Sequence, residues 1–175
     1  ALGPFQSVPN KWLASLVLRR VKTVCARGAR TREHLDSLGG VNSIDVADLA
    51  FSLDEAASFP EAVSVALGSI GKDFIVVMPS AVVRGIYESS GGNYVSAMAA
   101  LVADIRQLTG RSVVIAPHSY RAGLPEGRMN DGPVCREVAA ACSGDTQVLG
   151  LDFDLTAGEL RHLVAHCSVL VTSRF

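Results

Sequence analysis

The sequence has no apolar run that reaches the roughly 18 residues needed to cross a membrane. Residues 1–5 also lack the charged start and apolar centre of a signal peptide. We therefore expect a cytoplasmic location. The sequence has no initiator methionine and stops directly after a predicted strand, so we expect a piece of a longer protein, truncated at both ends.

Cysteine is scarce, and its spacing excludes the common metal and disulfide frameworks. No two cysteines form a C-x-x-C pair, and no histidine has a carboxylate or cysteine at ligand spacing. A domain with a large apolar core needs no covalent staple. We therefore expect no metal, no cofactor and four reduced thiols in the core: Cys25, Cys135, Cys142 and Cys167.

Charge of either sign is not in excess, since 16 basic and 17 acidic residues give a net charge of −1. This balance argues against a nucleic-acid partner. The densest basic stretch, residues 19–32, fits solvated helix faces. The composition is 49% hydrophobic and 19% charged, which excludes disorder and fits an α/β layer structure whose strands are covered on both faces.

Short apolar runs alternate with patterns of helical spacing along most of the chain. The predicted strands are residues 23–26, 43–46, 73–79, 112–117, 146–151 and 168–173, and the predicted helices are 10–21, 31–38, 93–109, 131–143 and 156–166. Residues 52–71 fit a loop with one helical turn around residues 61–67, and 80–92 and 118–130 fit long functional loops. This alternation predicts βαβ crossovers and a parallel sheet.

We expect a connecting segment with a first strand and helix in residues 1–53. Residues 54–175 would form a parallel-sheet, Rossmann-like lobe, with one compact domain overall.

Polar residues follow the predicted strands, where the loops of an open parallel sheet build ligand sites. Arg27 ends the first strand, and Thr31 is predicted to cap the next helix, so that together they would hold a phosphate or carboxylate. The alternative is an internal ion pair of Arg27 with Asp48. Ser80, after the third strand, is a further candidate for substrate binding.

Arg174 is the strongest single candidate, because Ser173 and Arg174 leave the last strand at the same edge of the sheet. Burying an unpaired guanidinium is costly, so either a ligand anion or an internal carboxylate such as Asp152 must compensate it. We favour the ligand.

Two further candidates lie in the loop after the fourth strand, and a third lies at its end. His118 could act as an acid, a base or a phosphate donor, or it could simply bond loop backbone; Arg121 follows it. Asp131 would contact substrate or, more simply, cap its own helix. Asn93 is expected to cap the helix that it precedes, rather than to belong to a phosphate cradle.

The sequence resembles the polysaccharide pyruvyl transferase family over most of its length. The similar segments are residues 24–31 with Leu35 and residues 38–39, residues 48–53, Tyr94 with its apolar helix, residues 113–118, and residues 170–175. The last segment is similar to the family's Ser-Arg-Leu/Phe-His signature, but the chain ends before the histidine. Gly28 stands where the family has an acidic residue, Thr31 where it has serine, and Leu49 where it has proline.

The resemblance implies a GT-B-like fold of which this chain supplies the carboxyl-terminal lobe. It implies transfer of a pyruvyl ketal group from phosphoenolpyruvate to a saccharide acceptor, with possible membrane association through a lipid-linked acceptor. Arg27 and Arg174 would hold the donor's anionic groups, and His118 would position substrate. We expect the isolated 175 residues to be inactive or crippled, which phosphoenolpyruvate-dependent phosphate release with a sugar acceptor would contradict.

Two other functions compete with this interpretation. A nucleotide-sugar glycosyltransferase lobe has the same fold, but many retaining members carry two glutamates eight positions apart, and no such pair occurs here. A non-catalytic binding domain is the other alternative, because a fold does not establish activity.

Overall fold

A computed structural model of the chain describes residues 4–54, 56 and 58–173. The chain divides into two compact units, Ala1–Leu53 and Asp54–Phe175. Both units contain parallel strands with helices between them, so the predicted α/β class with parallel pairing is confirmed. Within the described residues, none of the helices combines the length and the apolar character that crossing a bilayer requires.

The first unit is a small parallel β–α–β arrangement preceded by a helix. Its elements are α1 (Val8–Leu18), β1 (Val24–Arg27), α2 (Ala29–Asp36), β2 (Ser43–Val46) and a short 3-10 turn (Leu49–Ser52). β1 pairs with β2 in a two-stranded sheet of their own. Its buried core is small: Val24, Ala26, Leu35 and Leu38.

The second unit is a four-stranded parallel sheet with helices on both faces. Its elements are α3 (Glu61–Gly68), β3 (Phe74–Met78), α4 (Ala81–Ser89), α5 (Tyr94–Thr109), β4 (Ser112–Ile115), α6 (Gly132–Ala141), β5 (Val148–Gly150), α7 (Ala157–His166) and β6 (Val169–Thr172). The strand order is β5-β4-β3-β6.

Alternate side chains of the central strand β3 enter two separate cores, as the period of two in a strand requires. Val76 and Met78 pack in one core with α3 and α7, where Leu163 is fully buried. Ile75 and Val77 pack in the other core with α5 and α6. All five residues of β3 are buried, which is why its sequence is a continuous apolar run rather than an alternating one.

The starts of α5 and α2 confirm one predicted helix cap and contradict another. Asn93 caps α5 as predicted, since its side chain accepts a hydrogen bond from Ser96 N at 3.0 Å. Thr31 does not cap α2: the cap position is Gly28, whose φ of 87° places it in a region that favours glycine, and Thr31 lies buried within the helix.

One segment predicted as a loop is helical, because α4 occupies most of the predicted 80–92 loop. α3 lies where a helical turn was predicted around residues 61–67, and it is longer than a single turn. The 118–130 loop is confirmed, because no helix or named strand lies within it.

The four cysteines are free thiols, but they are not all in the core. Cys135 is buried, and burial raises the pKa of its thiol. Cys142 and Cys167 are partly buried, with their pKa values also raised by burial. Cys25 is exposed, so its predicted core position is wrong: it lies on the outward face of a strand whose other face covers the small first core.

Candidate functional site

The strand order of the second unit creates a topological switch point between β3 and β6. From β3 the chain passes to β4 and then to β5 on one side, and it returns through α7 to β6 on the other side of β3. The helices of these two routes pack in the two opposite cores. Ligands of open α/β sheets bind in the crevice that such a reversal leaves beyond the carboxyl ends of the strands.

Ser80 lies at this switch point with a buried hydroxyl that has no hydrogen-bond partner among the described residues. The residue is 1% exposed, and it follows β3 at the cap position of α4 without making a side-chain cap bond. Its backbone N–H donates to the Tyr94 hydroxyl at 3.1 Å, and burial raises the pKa of that phenol. An unsatisfied buried hydroxyl is uncommon in native proteins, and its position after a strand makes Ser80 a candidate for substrate contact.

Ser173 approaches the same place from the other strand. In the register of β3 with β6, Met78 pairs with Thr172, so the two strands end side by side at the same edge of the sheet. Ser173 is exposed directly after this pair. Arg174 follows it in the sequence and lies outside the described residues, so its role stays a prediction.

Asp131 is fully buried, and its carboxylate joins two loops at this edge of the sheet. One oxygen accepts from Ala81 N at 2.8 Å, at the start of α4, and the other accepts from Ser119 N at 3.2 Å. The backbone N–H of Asp131 also donates to Ser119 O at 2.7 Å. Asp131 occupies the N-cap position of α6 with a proline in the first turn, as predicted, but its carboxylate makes no cap bond to its own helix. Substrate contact by Asp131 stays a prediction.

His118 and Arg121 lie on the loop after β4, which is the neighbour of β3 in the sheet. Both side chains are exposed, and neither has a hydrogen bond or ion pair within the part of the chain that the structure describes. The alternative in which His118 bonds loop backbone is therefore not observed among these residues. Both side chains are accessible to a substrate.

An arginine that sequence reasoning missed ties this loop to two helices. Arg84 of α4 contacts Glu126 of the loop at 3.1 Å, Glu137 of α6 at 3.0 Å and Glu88 at 3.1 Å. The hydrogen bond to Glu137 is the largest cause of a raised Arg84 pKa, so the charge of this guanidinium is permanent. The only sequence signal was the spacing of four between Arg84 and Glu88 on one helix.

Asn130 closes the base of the same loop. It is buried, its amide donates to Leu124 O at 2.6 Å, and its side-chain oxygen accepts from Gly132 N at 3.1 Å. The loop is thus fixed at its end by Asn130 and farther back by Glu126. His118 and Arg121 lie on the segment between the end of β4 and Glu126.

Arg27 belongs to the two-stranded sheet of the first unit rather than to the four-stranded sheet. Its Nη1 donates to Asp48 Oδ2 at 2.6 Å, which is the internal pairing considered as the alternative to anion binding. The Arg27 side chain is 64% exposed, so the pair adds little stability. Nε and Nη2 have no partner among the described residues, and this edge of the guanidinium can still bind an anion.

Asp152, the internal acid considered for Arg174, has another partner. It accepts a hydrogen bond from Arg136 at 2.8 Å, beside a small cavity of 130 Å³ between α6 and the ends of β4 and β5. Across the described residues, no group of three or more metal-ligating side chains is brought together.

Comparison of the chain with family models, with curated proteins and with solved structures gives no match. The functional interpretation therefore depends on the geometry of the switch point and on the residues around it.

Proposed function

We propose that this protein is a transferase of the polysaccharide pyruvyl transferase type, built on a Rossmann-like lobe of a GT-B-like fold and acting in the cytoplasm. One observation supports the proposal most directly. The buried Ser80 hydroxyl, which has no hydrogen-bond partner among the described residues, lies at the same reversal of strand order as the end of β6, and Arg174 comes two residues after the end of β6 in the sequence.

The proposed reaction joins the two hydroxyls of a sugar to C2 of phosphoenolpyruvate. Two C–O bonds form at C2, and the bond between C2 and the phosphate oxygen breaks. One hydroxyl proton goes to the methylene carbon, which becomes a methyl group, and the other leaves with inorganic phosphate. The reaction requires fixed positive charge near a phosphate and a carboxylate, and arginine supplies such charge with a planar fork of donors.

Each candidate side chain has a definite task in this proposal. Arg174 holds an anionic group of the donor at the switch point, and Ser173 contributes to the same binding. Arg27 and Thr31 are candidates for anion binding within the first unit. The Ser80 hydroxyl donates to an oxygen of phosphoenolpyruvate, which gives it the partner that it lacks among the described residues. His118 and Arg121 position the saccharide acceptor from their accessible loop.

The Ser80→Ala variant tests the assignment sharply, because ligand binding and stability should respond in different ways. Removing a buried hydroxyl without a partner leaves the free protein as stable as before or slightly more stable. The same change removes a hydrogen bond to the ligand. We therefore expect an unchanged or raised melting temperature without ligand, together with weaker stabilisation by phosphoenolpyruvate.

Thermal-shift measurements with phosphoenolpyruvate provide the primary assay. A ligand at about 100 times its Kd stabilises a protein by about 2.7 kcal/mol, which corresponds to a shift of roughly 5–10 °C for a domain of this size. Arg174→Gln should abolish the shift. Arg111→Gln is the matched control, because Arg111 pairs with Asp73 at 3.0 Å just before β4, at the opposite end of the strands.

The same assay distinguishes the competing function. Stabilisation by nucleotide sugars without stabilisation by phosphoenolpyruvate would favour a glycosyltransferase lobe. If Arg174→Gln and Ser80→Ala both retain the full phosphoenolpyruvate shift, the switch point is not the donor site and the proposal fails.

A further inference from the structure

Helix α1 presents an unusually apolar surface for an exposed helix. It has no buried residue. With 100° between successive residues, Ala14 and Leu18 face the small core of the first unit, and the opposite half of the helix faces outward. This outward half carries large apolar side chains with high exposed fractions: Val8 83%, Trp12 67%, Leu13 55%, Leu16 38% and Val17 51%.

The charged residues of α1 and of the chain around it in the sequence are all basic. Residues 1–32 contain no aspartate or glutamate, and the first acidic residue is Glu33. The same stretch contains seven cations: Lys11, Arg19, Arg20, Lys22, Arg27, Arg30 and Arg32. Three of them, Lys11, Arg19 and Arg20, line a surface groove of 590 Å³ together with Trp12.

We propose that the outward face of α1 is a binding surface for anionic lipid bilayers. Apolar residues with an aromatic ring on one side, and lysine or arginine beside them, are the combination that places a helix in the headgroup region of a membrane. Tryptophan is the side chain most enriched at that depth. The apolar face would enter the headgroup boundary while Lys11 and Arg20 contact lipid phosphates.

Two other occupants fit the surface less well. A symmetric pair of these faces would bring Lys11, Arg19 and Arg20 against their own copies, and like charges at an interface oppose association. An acidic protein would satisfy the charge but not the apolar side chains of this face, and the experiment below tests for it. The inference does not depend on the proposed transferase activity, because it rests on the first unit alone.

Trp12 makes the test direct, because it is the only tryptophan in the chain and it lies within the proposed surface. The full chain is titrated with vesicles of phosphatidylcholine and with vesicles that also contain about 30% phosphatidylserine. We expect a blue shift of Trp12 emission and co-sedimentation with the anionic vesicles, and much weaker effects with neutral ones. Both should disappear near 1 M salt, where charges are screened beyond about 3 Å.

Variants that keep Trp12 separate the two contributions. Each cation near an anionic surface strengthens binding roughly fivefold, so Lys11→Gln with Arg20→Gln should weaken it by about 25-fold. Arg19 is left unchanged because its guanidinium donates to Gly39 O at 2.9 Å and to Leu38 O at 3.1 Å, which makes it part of the fold.

Loss of apolar contact is tested by Leu13→Ser with Val17→Ser, which should reduce vesicle binding and the blue shift. Leu108→Ser is the matched control, because Leu108 is 84% exposed on α5 of the second unit and should not affect binding. Circular dichroism verifies that each variant is folded.

Three results would overturn the proposal. The first is Trp12 emission that does not respond to an excess of anionic vesicles. The second is a blue shift with polyglutamate but not with vesicles, which would identify an acidic protein partner. The third is concentration-dependent self-association that shields Trp12, which would make the face an interface between two copies.

Discussion

Replacing Asp131 should lower the free energy of unfolding more than replacing any of the exposed carboxylates described above. Asp131→Ala leaves two backbone donors without an acceptor: Ala81 N, which is buried, and Ser119 N, which is partly buried. A buried donor that loses its partner costs about 1–3 kcal/mol. The change also removes a negative charge beside the start of α4, which contributes about 0.3–1 kcal/mol.

These contributions together predict a loss of about 3 kcal/mol for Asp131→Ala. Asp131→Asn keeps one acceptor oxygen but turns an N–H group toward the other donor, so we expect a loss of about 1–2 kcal/mol. Asp48→Ala is the matched control. Like Asp131, Asp48 accepts two hydrogen bonds, one from Ala50 N and one from Arg27, but it is solvent-exposed. Its replacement should cost less than about 1 kcal/mol, because exposed pairs and caps are weak.

Urea unfolding followed by far-UV circular dichroism measures the loss, and amide hydrogen exchange locates it. In Asp131→Ala, the amides of Ala81 and Ser119 should both exchange faster, and in Asp131→Asn at least one should stay protected. Unchanged protection at both amides would show that the carboxylate does not hold these donors. A loss no larger than that of Asp48→Ala would refute the reasoning from burial.

Two more predictions concern an ion pair and a close contact. Arg106 hydrogen-bonds Asp145 at 2.9 Å and lowers the pKa of that carboxyl below its ordinary 3.8, so its stabilisation should be complete above pH 3.8 and be lost as the pH falls through the lowered value. The free-energy difference between wild type and Asp145→Asn in urea should therefore shrink toward about pH 2, and a constant difference would contradict this. Gly150→Ala should destabilise by about 1–3 kcal/mol, because its Cβ would lie 2.7 Å from Cβ of Ala139. Gly68→Ala, where a Cβ meets nothing within 4 Å at the end of α3, should instead stabilise by about 0.4–1 kcal/mol in the same melts, and equal effects would refute the packing argument.

The local patterns that predicted elements correctly are those that burial makes unambiguous. β3 is a run of apolar residues because both of its faces are covered, and β2 has the same bounds as predicted. α5 has both a side-chain cap at Asn93 and a left-handed glycine at Gly110, so the two ends of the helix are marked in the sequence.

α4 was missed because its sequence gives conflicting signals. Pro79 precedes it and a cluster of serine and glycine follows, which is the composition of a loop. Its apolar residues do not fill a buried stripe: Val82 and Ile86 are 41% and 68% exposed, and only Ala81 is buried. The helix start is instead fixed by Asp131, fifty positions away in the sequence, through Ala81 N.

The candidate site was predictable only in part, because contacts between residues distant in the sequence determine which side chains meet. That polar residues after parallel strands gather at one edge follows from the periodicity of the sequence, and it placed Ser80, His118 and Ser173 correctly at strand ends. Which ends are neighbours depends on strand order, which local patterns do not encode. β1 pairs with β2 in a separate sheet, so Arg27 is not part of the larger sheet, and Ser80 N donates to the Tyr94 hydroxyl. Both contacts join residues that are distant in the sequence, so local patterns do not predict them.

The position of Asp131 also determines where a ligand anion would bind at the switch point. The first N–H of α4 would ordinarily attract a phosphate, but the Asp131 carboxylate already accepts from it and is fully buried there. A second anion at the same helix end would face this fixed negative charge at short range. The repulsion would be strong, because solvent and salt screen a buried charge poorly. In the proposed reaction, the donor's phosphate and carboxylate should therefore lie toward the β6 side of the switch point, where exposed Ser173 follows the strand and Arg174 comes next in the sequence. This geometry favours binding by guanidinium groups over binding by a helix terminus.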